Sequence, residues 1–149
     1  MLNRFVAVLL LCTVSACSTF QAGSQKLVDT AKDAVTDADE RFADIYTKSA
    51  LAAKVMAKSL EEYEALMDPW NSAQDAFSSA RASIAVVQAT LDVWGEGGDP
   101  EPFVFAVKEA YKALDRLYTG LKGMQLPDIA SIIGHALDRV RVLLKSMVE

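Results

Sequence analysis

From Ser24 to Met67 the chain contains neither proline nor glycine, and apolar or small side chains recur along it at heptad spacing. One seam position reads Val28, Val35, Phe42, Ser49, Met56, Tyr63, and the other reads Ala31, Ala38, Ile45, Ala52, Ser59, Leu66. Alternating steps of three and four residues keep these side chains on one side of a helix. The spacing therefore predicts a single long amphipathic helix over about 24–67. Its first half is alanine-rich, and small side chains bury little apolar area, so that half is expected to pack more weakly. A bundle core and a homo-oligomer seam share this period, so the heptads also allow self-association.

Asp68-Pro69 reads as a stop and a restart. Aspartate can cap free backbone N–H groups, and proline fits the first helical position, where no N–H is needed. A second helix is predicted over 69–94, with the stripe Ala73, Phe77, Ala80, Ile84, Val87, Leu91 and Trp94. Gly95-Glu96-Gly97-Gly98-Asp99-Pro100-Glu101-Pro102 is the clearest loop. A third helix follows over about 101–122, where Gly123 can supply the cap. A fourth opens at Pro127 and runs to about Val148. Gly134 inside it costs roughly 1 kcal/mol relative to alanine, which points to close helix contact at that position.

These elements predict an all-α protein, an up-and-down four-helix bundle over 25–149. The lengths are unequal. A first helix of 44 residues would reach about 66 Å, while the others would reach roughly 32–39 Å. Its N-terminal half, residues 24–41, is expected to project as a stalk or to fold back.

Ahead of the helices, Arg4 is followed by the ten-residue apolar run Phe5–Val14 and then by Ser15, Ala16 and Cys17. Such a run spans only about 15 Å as a helix, against roughly 30 Å of bilayer hydrocarbon, and has the length of a signal-peptide core. Val14-Ser15-Ala16-Cys17 resembles the lipobox of bacterial lipoproteins. The resemblance covers residues 1–18, with Val14 where leucine is commonest and Arg4 as the lone basic residue. It implies removal of residues 1–16 by cleavage between Ala16 and Cys17, a diacylglycerol on the Cys17 thiol, and an acylated amino terminus. Ser18 stands where aspartate would signal inner-membrane retention, so the outer membrane is the expected destination. Residues 17–24 then form the lipidated terminus and a flexible tether.

Cys12 and Cys17 are the only cysteines, so the expected mature domain has no thiol for a disulfide, nucleophile or metal site. The full chain carries a net charge of −5, and loss of Arg4 would make it −6. With no basic block, nucleic acid is a poor partner.

Catalytic chemistry is thin. His135 is the single histidine, and Ile132 stands three residues before it, so the Glu-x-x-His motif of di-iron bundles is absent. No catalytic, metal or cofactor residues are assigned, and the chain is read as a non-enzyme. Asp29, Asp33, Asp37 and Asp44 read as a solvated face, with Arg41 offsetting Asp37 one turn later. Glu61, Glu62 and Glu64 fall near the predicted C-terminus of the first helix, where the dipole disfavours them, a weak hint of a local partner or ion. Trp70 and Trp94 are expected to close the ends of the core, with Tyr111 and Tyr118 at its edge.

The expected function is a lipid-anchored, periplasm-facing interaction or structural module of the bacterial envelope. It would be held to the membrane by its lipid and engaged with an envelope protein partner. The alternatives are a carrier of a small apolar ligand, with a pocket near Phe103, Phe105, Tyr111 and Met124, and a phage or toxin-immunity lipoprotein acting at the envelope.

Overall fold

A computed structural model describes residues 2–147, with side chains from 19 to 147; the expected end of the last helix at Val148 lies outside the described residues. Four helices follow in order: α1 (Leu2–Met56), α2 (Leu60–Gly95), α3 (Glu101–Gly123) and α4 (Pro127–Ser146). α1 packs on α2 and α4, and α3 packs on α2 and α4, with no diagonal contact among the described residues. Each helix thus touches its two neighbours around a square, as short connections between antiparallel helices require.

The first reversal is not where Asp68-Pro69 predicts it. α1 ends at Met56, and α2 begins at Leu60 and carries Pro69 in its interior. The signal is a capping box. The Ser59 hydroxyl accepts from the Glu62 amide at 3.2 Å, and the Glu62 carboxylate accepts from the Lys58 amide at 2.7 Å. Ser59 itself is extended (φ −144°, ψ 165°), a conformation open to any residue, so the chain turns without glycine or proline.

The other boundaries follow their local chemistry. Gly97 adopts φ +93° as the chain leaves α2. Gly98 donates to the Val93 carbonyl at 2.9 Å, closing the end of that helix. Pro100 and Pro127 flank the starts of α3 and α4. Gly123 does not cap α3 by a left-handed turn; the positive φ, +59°, falls on Gln125.

The core is built from the predicted stripes. Val28, Ala31, Val35, Ala38 and Phe42 are buried, so residues 24–41 lie within the bundle rather than projecting from it. Opposite them lie Phe77, Ala80, Ile84 and Leu91 of α2, Phe103, Val107, Leu114 and Leu121 of α3, and Ile133, Ala136 and Leu143 of α4. Gly134 does mark close contact: a Cβ there would sit 3.3 Å from the Tyr118 ring.

Helix length decides the shape. α2 has 36 residues and α3 has 23, and a short loop joins them, so roughly 13 residues of α2 run past the far end of α3. That is about 20 Å. The same stretch of α1 accompanies them, since Tyr46 donates to Asn71 at 2.8 Å and the two helices then run together to the turn at 57–59. The four-helix body therefore carries a two-helix arm at one end.

Candidate functional site

The end of the body opposite the arm holds the first candidate. Phe20 packs edge-on against Trp94 with ring centroids 5.5 Å apart, and Trp94 packs on Phe103 at 5.3 Å. Gln21 donates to the Trp94 carbonyl at 3.4 Å. Gln25 and Gln88 exchange amide hydrogen bonds at 2.7 and 2.8 Å. These contacts fix residues 20–25 against α2 and account for helix through 18–24, where the sequence reading expects a flexible tether. Ser24 is 2% exposed on the core stripe, and its hydroxyl finds no hydrogen-bond partner. The side chains of Ala16 and Cys17, the expected cleavage and lipidation residues, lie outside the described ones. In the helix, Cys17 falls three residues before Phe20, about one turn.

The base of the arm is closed by aromatics. Phe42 lies 5.1 Å from Phe77, 5.8 Å from Trp70 and 6.1 Å from Tyr46, measured between ring centroids. Trp70 and Trp94 are half-buried and close opposite ends of the core, as their placement near the ends of the predicted second helix implies.

The arm itself is poorly covered. Ala53 and Met67 are buried. Met56 at 69% and Leu66 at 44% are exposed, although both continue the stripes that the body buries. Leu51, Val55 and Leu60 are exposed as well.

Among the described residues no group of three or more histidine, cysteine, aspartate and glutamate side chains gathers to hold a metal ion. His135 is exposed. Asp37 pairs with Arg41 at 2.9 Å and Asp44 with Lys48 at 2.6 Å on the solvated face, and Asp29 accepts from Gln25 at 2.8 Å. Asp39 bridges to Arg81 of α2 at 2.6 Å. Glu61 and Glu62 occupy the first turn of α2, where the positive helix end favours them, so the dipole conflict expected for Glu61, Glu62 and Glu64 disappears. Arg141 donates to the Tyr111 hydroxyl at 3.3 Å; that bond, with the charges of Tyr111, Asp138 and Asp115, holds its pKa above the ordinary value.

Of the residues named for an apolar pocket, Phe103 is fully buried in the core, Phe105 is 66% exposed, and Tyr111 and Met124 are half-buried at the core edge. A gap in the core bordered by Val28, Ala31, Ile84, Val107 and Val140 measures about 10 Å³, room for about one water rather than an apolar ligand. Between α1 and α2 an open groove of about 260 Å³ is bordered by Lys32, Val35, Arg81 and Ile84. Among the described residues no helix is long and apolar enough to cross a membrane.

These features define a class of structure, an antiparallel four-helix bundle extended by a two-helix arm. No family model, curated protein or solved structure matches the chain.

Proposed function

We propose that this protein is a lipid-anchored, non-enzymatic interaction module of the bacterial envelope, tethered through Cys17 and facing the periplasm, with the outer membrane as its seat. One observation carries the reading: Val14-Ser15-Ala16-Cys17 ends one turn outside the Phe20–Trp94–Phe103 end of the bundle, in the same helix. An acyl group at Cys17 would hold that end against the lipid surface without an intervening flexible linker. Because α1 continues to Met56, the tip of the arm would stand up to about 60 Å away when the helix is upright. The module would then act as a spacer that holds its surface away from the membrane, where an envelope protein can engage it. Two or more acyl chains suffice for stable anchoring, at about 0.8 kcal/mol for each buried CH₂.

The test is metabolic labelling with a fatty-acid probe in the native chain and in Cys17→Ser, with intact mass of the mature protein. The expected result is label on the native chain only and a mature mass beginning at acylated Cys17. An unlabelled native protein cut at another bond overturns the proposal.

A further inference from the structure

We infer that the two-helix arm is a self-association surface, and that its partner is the arm of a second copy of this chain packed antiparallel to it. Along the body, α3 and α4 cover the stripes of α1 and α2. Beyond the end of α3 the stripes continue through Ala52 and Met56 of α1 and Tyr63 and Leu66 of α2, but no helix of the same chain covers them. The arm is half of a bundle, and what it lacks is two more helices of the same length.

A second arm supplies them in one orientation. If two chains lay parallel and face to face, the α3–α4 layers of both would stand at the same height between the arms and hold them apart by two helix layers, about 20 Å. Turned antiparallel, each arm enters the notch above the other chain's α3–α4 turn. The notch and the arm are the same length, about 20 Å, because the same difference in helix length creates both. The tip of one chain then meets the shoulder of the other. Exposed Lys58 lies at the tip and exposed Asp128 at the shoulder, and neither is in an ion pair among the described residues, so these charges are free to pair across the interface. Half-buried Trp70, Met124 and Leu126 extend the apolar surface at the floor of the notch. The contact is isologous, as a twofold dimer requires. Two faces about 20 Å long and two helices wide bury roughly 1,000 Å² in total, the lower edge of specific interfaces, so the dimer should be concentration-dependent. The pairing itself does not need the lipid, but it sets the two Cys17 ends at opposite ends of the dimer, so two lipidated copies in one membrane pair this way lying along its surface rather than upright.

The experiment is sedimentation velocity of the full chain in a nonionic detergent, together with thiol cross-linking in a Cys12→Ala, Cys17→Ala background. Leu66 lies near the middle of the arm, between Ser59 at the turn and Asn71 at the base, so antiparallel pairing brings the two copies of this position close. Leu66→Cys should cross-link into a dimer, and Leu51→Cys on the opposite face of α1 should not. Met56→Glu with Leu66→Glu should weaken dimerisation at least about tenfold by burying charge, with circular dichroism unchanged. Leu51→Glu should leave it within about twofold. A chain that stays monomeric to about 100 µM, or cross-linking at position 51 and not at 66, overturns the inference.

Discussion

Replacing Pro69 by alanine should stabilise the protein, and by a margin large enough to measure easily. Pro69 is the tenth residue of α2 and is exposed, so the substitution removes no core packing. In a helix interior proline has no N–H to donate to the carbonyl four residues back, here Ala65, and its ring crowds that carbonyl. Host measurements put proline about 3 kcal/mol below alanine at such positions. Proline also restricts the unfolded chain, an advantage of about 0.4–1 kcal/mol that alanine gives up. A net gain of about 2–3 kcal/mol is expected. The neighbouring Trp70 packs on Phe42, so the effect falls on the cooperative body rather than on a fraying end. For a chain of this size that corresponds to a rise in melting temperature of roughly 5–10 °C. The assay is urea unfolding of the native chain and Pro69→Ala followed by helix ellipticity, with the midpoint moving up at unchanged slope. If Pro69 instead stood at the first position of a helix capped by Asp68, its missing N–H would cost nothing and its fixed φ would help. Pro69→Ala would then be neutral or destabilising, and that result would refute an α2 that begins at Leu60.

Two further substitutions probe the core from opposite directions. Ser24→Ala removes a buried hydroxyl that has no partner, so the variant should be more stable by about 1–2 kcal/mol; a lower urea midpoint would mean that the hydroxyl is bonded after all. Phe42→Ala empties the centre of the cluster formed with Tyr46, Trp70 and Phe77 and should cost about 3–5 kcal/mol in the same assay, and a loss under about 1 kcal/mol would show that the cluster is not packed as described.

The sequence made α3 and α4 legible because strong local chemistry bounds them: a glycine-rich loop and prolines before α3, and proline again before α4. The reversal between α1 and α2 was masked for a physical reason. It is made by one extended residue, Ser59, in an alanine-rich stretch with no glycine or proline. The apolar spacing also runs on through the turn, since Met56 and Tyr63 stay seven residues apart across it. Ser59-Leu60-Glu61-Glu62 was the signal available. It was outweighed by Asp68-Pro69, whose proline α2 carries in its interior. The same holds before the first turn: Ser18 to Ser24 looks flexible by composition, but Phe20, Gln21 and Gln25 are held by α2, which lies some sixty to seventy residues away. Tertiary contact overrode local preference there.

The mismatch of helix lengths is itself visible in the sequence; its location is not. With the break at 68–69, the excess belonged to the first helix alone and had to project as a single stalk. With the break at 57–59, α1 and α2 share the excess and cover one side of each other, which is why Ala53 and Met67 are buried while Met56 and Leu66 are not. The candidate surface was therefore hidden in plain view. Met56, Tyr63 and Leu66 are seam residues by their spacing, and a seam residue is ordinarily core. Whether it is core or surface depends on how far other helices reach, and α3 and α4, at 23 and 20 residues, stop short. The interaction surface is thus set by the lengths of the helices that fail to cover it. An insertion that lengthened α3 and α4 by about four turns would turn that surface into core without altering one of its residues.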